Sequence, residues 1–155
     1  MRTNPGAADP HYQALLALLG AAETVWSASR RFFDRWELGP SQFNVLNLLH
    51  EAESGLSQIE LSRLLLTHRS NVTGLVDRLE RRGLLERRNT AGDRRAYRVV
   101  LTGAGASLVE EILPHYYGGA VQVFRHVSAK AAAALTAELR QAAQNAERLA
   151  QTLPP

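Results

Sequence analysis

Cysteine is absent from the 155-residue sequence. Disulfides, thiolate metal sites, thiol nucleophiles and thiol redox sensors are excluded together, and a reducing compartment, the cytoplasm, fits. Long apolar runs are missing as well: no stretch approaches the ~20 residues needed to cross a bilayer. The one early apolar run, Ala14 to Ala22, follows Pro5, Gly6, Asp9 and Pro10 instead of a basic cluster, so a signal peptide is not expected. The histidines His11, His50, His68, His115 and His126 form no i, i+4 pair with one another. Glu111 and His115 make a single pair, short of the three or four ligands a metal needs, so neither a metal nor another cofactor is expected. Catalytic motifs are lacking too. Gly103-Ala104-Gly105-Ala106-Ser107 fits neither the dinucleotide nor the P-loop pattern, and no nucleophile elbow is present, so the chain does not read as an enzyme.

What is present is the composition of one ordinary globular domain, 45% hydrophobic and 21% charged, long enough to bury a core. Net charge is only +3, and Lys130 is the sole lysine among 18 basic residues. The charge is unevenly placed. Leu56 to Thr102 holds ten arginines (Arg63, Arg69, Arg78, Arg81, Arg82, Arg87, Arg88, Arg94, Arg95, Arg98) against five acids, which makes that block +5 and leaves the remainder −2. Such a block suggests a polyanionic partner, because each neutralised phosphate releases condensed counterions. A solvated arginine-rich face is the competing reading.

Asp9-Pro10 reads as a helix start, with Asp9 as cap and Pro10 at the first helical position. Apolar residues from Leu15 to Trp36 keep helical spacing up to a stop near Gly39-Pro40. Pro40 opens a second helix that ends before Glu53-Ser54-Gly55. Ser57-Gln58-Ile59-Glu60 is a capping box for a short third helix. Thr67 is the expected cap of the next, whose Val72, Leu75, Val76 and Leu79 fall at i, i+3, i+4 and i+7 and which Gly83 terminates. Leu84 to Arg88 and Tyr97 to Leu101 flank the turn-rich Asn89 to Asp93 and predict a hairpin. Thr102 caps a long helix expected to bend at Pro114, and Ser128 caps an alanine-rich last helix.

Helix, turn, helix and basic hairpin form the layout of a winged helix-turn-helix, in which one helix enters the major groove and the hairpin reaches the adjacent minor groove. With the apolar stripe of the fourth helix buried, that helix must present Arg69, Ser70, Asn71 and Thr73 near its start and Arg78 and Arg81 further along. These groups can bond base edges and phosphates.

The text Leu56-Ser57-Gln58-Ile59-Glu60-Leu61, the run from Ser70 to Arg87 (SNVTGLVDRLERRGLLER), and Gly92-Asp93-Arg94-Arg95-Ala96-Tyr97-Arg98-Val99-Val100-Leu101-Thr102 resemble the MarR (multiple antibiotic resistance regulator) family. They are similar to its recognition helix and its Asp-x-Arg wing, in order and at the usual distances. The resemblance implies a homodimer whose first and last helices interlock, with two winged modules reading an inverted repeat in duplex DNA, half-sites roughly 10 base pairs apart. It also implies that Arg95 enters the minor groove, oriented by Asp93, and that Arg94 contacts phosphate. Stabilisation of the hairpin alone is the competing role for Asp93 and Arg95. Gly74 departs from the family pattern, which often has a basic or larger polar residue there, and it offers no side chain to a base.

The expected fold is therefore mostly α with a small β-hairpin wing. Residues 1–38 and 103–155 supply the helical dimerisation region and 39–102 the DNA-binding domain. The expected function is a transcription regulator, a repressor released by a small aromatic or anionic ligand, as many proteins of the family are. Trp26, Phe33, Trp36, Phe43, His50 and Tyr117 are candidates for lining the effector pocket, although aromatics at helical spacing commonly form core. The alternative is a winged-helix dimer that serves as a protein-interaction module without specific DNA binding.

Overall fold

The computed structural model describes residues 5–65, 69–90 and 93–152, with backbone alone at 5, 7, 69, 90 and 93–96. The expected cap Thr67 lies outside the described residues. The elements are α1 (Pro10–Phe33), α2 (Pro40–Glu51), α3 (Gln58–Leu64), α4 (Arg69–Arg81), the antiparallel strands β1 (Leu85–Thr90) and β2 (Asp93–Leu101), α5 (Gly103–Val123) and α6 (Ala129–Thr152). Among the described residues the chain is mostly helical with one two-stranded hairpin. It divides into two compact units, Met1–Glu110 and Glu111–Pro155.

Caps legible in the sequence start four of the helices. Asp9 Oδ1 accepts from the N–H groups of His11 (2.8 Å) and Tyr12 (3.2 Å), with Pro10 at the first helical position. Ser57 and Glu60 exchange bonds at 3.2 and 2.7 Å to open α3. Thr102 Oγ1 accepts from the Gly105 N–H at 3.1 Å, and Ser128 Oγ from the Ala131 N–H at 3.2 Å. Helix α5 continues through Pro114 and Gly118-Gly119 as one element to Val123.

Two helix ends share one hydrogen-bond pattern. After α4 the N–H of Gly83 donates to Glu80 O (2.8 Å) and that of Leu84 to Leu79 O (3.1 Å), with Gly83 at φ 69°. After α1 the chain makes a 3-10 turn over Asp34–Trp36 and stops the same way: Glu37 N–H reaches Asp34 O (2.9 Å) and Leu38 N–H reaches Phe33 O (3.3 Å). The left-handed position is there held by Glu37, at φ 54°, a conformation that costs a non-glycine residue roughly 1 kcal/mol. Arg82 braces it, donating to Glu37 O (2.6 Å) and Trp36 O (3.1 Å). Trp36 therefore sits in a tight turn beyond the first helix, where periodicity alone extends that helix.

The core of the first unit joins Phe33, Leu38, Phe43, Val45, Leu46 and Leu49 to Leu61, the α4 stripe Val72, Leu75, Val76 and Leu79, and Leu84, Leu85 and Val99. Phe33 and Phe43 stack with ring centroids 4.6 Å apart. Both strands run closer to the hairpin tip than the turn-rich text suggests, with an irregularity between Asn89 and Thr90. Leu56, ahead of α3, pairs with Val99 and adds a short third rung to the hairpin. That rung requires Gly55: its φ is +71°, and a Cβ there would lie 2.4 Å from Val99 O. Gly105 is required for another reason, since its Cβ would fall 1.8 Å from the carbonyl oxygen of Leu84.

The long helices bury little within the chain. Phe33 is the only buried residue of α1, while Leu15 and Leu19 are 51% and 58% exposed. Helix α6 has no buried residue, and Leu135, Leu139 and Leu149 are all exposed. No helix among the described residues is long and apolar enough to cross a membrane.

Two outcomes are expected from this packing. Gly74→Ala meets only Arg78 Nη1 at 3.5 Å and should stabilise the protein by about 0.5–1 kcal/mol, whereas Gly105→Ala should destabilise it by about 1–3 kcal/mol or more. Urea denaturation of the two variants measures both. Hydrogen bonds from the backbone and hydroxyl of Ser57, with smaller help from Arg98 and Arg63, hold the Glu60 carboxyl below the usual glutamate pKa. A depressed folded value means that this stabilisation is present above the unfolded pKa and is lost as pH falls through the folded one. Glu60→Gln should therefore flatten that part of the acid limb of the stability–pH curve.

Candidate nucleic-acid interface

Helix α4 has two distinct sides. Val72, Leu75, Val76 and Leu79 are buried, and Ser70, Asn71, Thr73, Arg78 and Arg81 are exposed on the other side. The backbone of Arg69 begins the helix, and its side chain lies outside the description. Thr73 is tied to the preceding helix, its hydroxyl donating to Gln58 Oε1 at 3.2 Å. Gln58 is itself 6% exposed, and its Nε2 finds no partner among the described residues. Arg81 folds back on its own helix, with Nε donating to Asp77 O at 3.2 Å. The exposed side of α4 thus offers hydroxyl, amide and guanidinium groups on a helix whose opposite side is fixed in the core.

The hairpin follows directly. Asp93, Arg94 and Arg95 are the first three residues of β2, at the tip, and their side chains lie outside the described residues. At the base of the hairpin arginines serve as fasteners, a role that composition does not reveal. Arg98 donates to Ser54 O (3.0 Å) and Gly55 O (2.6 Å) and stands 3.4 Å from the Glu60 carboxylate, joining β2 to the start of α3. Arg87 pairs with both Asp77 and Glu80 of α4 and lies 5.4 Å over the Tyr97 ring. Burial works to lower the pKa of this guanidinium, but hydrogen bonds with Asp77 and Tyr97 and the charge of Glu80 outweigh it and raise the value. In sequence, the only trace of this cluster is a pair of acids three apart on a helix that ends just before an arginine-bearing strand.

A cleft of about 590 Å³ runs beside α4, lined by Trp26 of α1, Ser41 and Asn44 of α2, Leu65, and Ser70, Asn71, Gly74, Leu75 and Arg78 of α4. Of the six candidates for an effector pocket, Trp26 alone lines it. Phe33 and Phe43 stack in the core, and Trp36 is 9% exposed, with the Arg35 guanidinium 3.7 Å over its ring. His50 Nε2 is 3.9 Å from Glu110. Tyr117 belongs to the second unit and is 59% exposed.

Residues 36–96, the span of this helix-turn-helix and hairpin, match the family model described as MarR family. The chain is 27% identical over 117 residues to the HTH-type transcriptional repressor YetL of Bacillus subtilis, covering 75% of this chain and 70% of YetL. Two further regulators are matched over only 40% and 53% of their own length. The fold is similar to that of S. aureus MepR in a DNA complex (TM-score 0.76, 21% identity, 86% of this chain and 96% of the other). It is also similar to Bordetella bronchiseptica BpsR, whose DNA binding is regulated by 6-hydroxynicotinic acid (TM-score 0.76, 22% identity, 92% and 98%). The matched segment and the order of its elements agree: residues 36–96 are similar to the MarR family, and the fold is similar to that of solved winged helix-turn-helix regulators.

Proposed function

We propose that the protein is a homodimeric, sequence-specific regulator of transcription that binds duplex DNA as a repressor and is released by a small molecule. The observation that carries the reading is the two-sided α4, buried through Val72, Leu75, Val76 and Leu79 and exposed through Ser70, Asn71, Thr73, Arg78 and Arg81. A helix held in this way can lie in the major groove. Arg69 joins these at the start of α4. Arg94 and Arg95, at the hairpin tip, reach the neighbouring phosphates and minor groove, with Asp93 orienting Arg95. The likeness to MepR in its DNA complex and to the repressor YetL supports the same reading. The reading assigns no catalysis and no cofactor to the chain, and it places the protein in the cytoplasm with the DNA it reads.

The dimer follows from surface economy. Helices α1 and α6 leave Leu15, Leu19, Leu135, Leu139 and Leu149 exposed. Isolated helices gain little without burying such a face, and a second copy supplies the cover. The effector site is the cleft beside Trp26. Ser70, Asn71 and Arg78 line it and also belong to the DNA-reading side, so a ligand there and a duplex compete for the same groups. The likeness to BpsR supports a small-molecule ligand.

Fluorescence anisotropy against duplexes tiled from the DNA upstream of the gene, at several salt concentrations, tests the reading. One quasi-palindromic duplex should bind tightly, resist unrelated competitor and weaken steeply with salt. Arg95→Ala should lower that affinity by roughly 10- to 100-fold at unchanged melting temperature. Weak binding that is equal for all duplexes would give precedence to a protein-interaction module. For the dimer, Leu15→Glu combined with Leu19→Glu should shift sedimentation toward the monomer and reduce operator binding.

A further inference from the structure

Arg87 counts among the ten arginines of the basic block, yet its side chain is only 24% exposed. It sits on β1 opposite Val99 of β2, on the hairpin side that also carries the buried Leu85. Antiparallel register makes Tyr97 its diagonal neighbour, which accounts for the guanidinium lying over that ring. From this strand the fork spans two carboxylates of α4, Asp77 and Glu80, and the Arg87 backbone N–H donates to Glu80 Oε1 at 3.2 Å. One residue thereby holds three elements: the helix whose outer side reads DNA, the first hairpin strand and the second. The covalent path between helix and hairpin passes through Gly83, in a left-handed conformation with open space around it. Arg87 closes a second path across that joint.

We infer that Arg87 is a positioning residue for DNA binding: it fixes the hairpin relative to the recognition helix so that major-groove and minor-groove contacts form together. The inference rests on the DNA-binding reading above. It is distinct from charge neutralisation, the other thing Arg87 does for Asp77 and Glu80. Two carboxylates beside a DNA-reading surface repel phosphate, so if their neutralisation were the whole role, removing their charge would strengthen binding. If position is the role, removing the carboxylates releases the fork and weakens binding.

The test is a double-mutant cycle on operator affinity, with melting temperatures taken in parallel. Arg87→Lys keeps the charge but replaces a rigid fork with a point donor that cannot span both acids. It should fold and lose about 10-fold in affinity, and in its background Arg95→Ala should cost only about 2- to 3-fold, because a hairpin out of position no longer delivers Arg95. Asp77→Asn combined with Glu80→Gln breaks the same link from the helix side and serves if Arg87→Lys does not fold. That variant should bind more weakly than wild type and show the same loss of dependence on Arg95. Wild-type affinity in Arg87→Lys, an equal cost of Arg95→Ala in every background, or tighter binding by the Asn/Gln variant would each overturn the inference alone. A wild-type protein that binds no duplex would overturn the DNA-binding reading and this inference with it.

Discussion

Val72, Leu75, Val76 and Leu79 close the core of the first unit from the α4 side, and the interface depends on that contact. A 13-residue helix is marginal by itself in water, and this one carries a glycine near its middle. Burying each of four branched side chains is worth about 1.5–3 kcal/mol, enough to hold the helix at a fixed rotation. That rotation turns Ser70, Asn71, Thr73, Arg78 and Arg81 outward as a set. Slippage by one residue would bring polar groups into the core and apolar ones to the surface, so the burial that stabilises the fold also aims the exposed side.

Arginine has two uses around this helix. Arg78 and Arg81 are exposed, Arg81 with its Nε on a carbonyl of its own helix, whereas Arg82, Arg87 and Arg98 use their guanidinium groups to tie separate segments of the protein together. Their acceptors are the carbonyls of Trp36 and Glu37, the carboxylates of Asp77 and Glu80, and the carbonyls of Ser54 and Gly55. A forked donor suits this work, because one side chain satisfies two acceptors on different segments. A sequence dominated by arginine over lysine is suited to fastening a small module as well as to meeting phosphate.

Much of this organisation is legible in the sequence where its cause is local. The caps at Asp9, Ser57, Thr102 and Ser128, the glycine stop at Gly83 and the stripe of α4 each arise within a few residues, so the text records them. Contacts that span the chain leave no such trace. Arg82 meets its acceptors 45 and 46 residues away, and Leu56 pairs with Val99 across the whole helix-turn-helix. The aromatic candidates show the same limit: spacing places Trp26, Phe33 and Phe43 on α1 and α2, but only tertiary packing makes two of them core and leaves one beside a cleft. The side chains of Asp93, Arg94 and Arg95, on which the proposed minor-groove contact depends, lie outside the described residues.

At the base of the hairpin the two ends of the segment meet. Thr102 Oγ1 donates to Gly83 O at 2.7 Å while accepting from Gly105, Thr102 N–H donates to Leu84 O at 3.2 Å, and Gly105 lies flat against the Leu84 carbonyl. The stretch from 84 to 102 therefore leaves and re-enters the body of the protein at one clasped point. A segment closed in this way is a cassette: its far end can be lengthened, shortened or rewritten without transmitting strain to the helices. The reach of the hairpin tip can then change while the clasp that carries it stays the same.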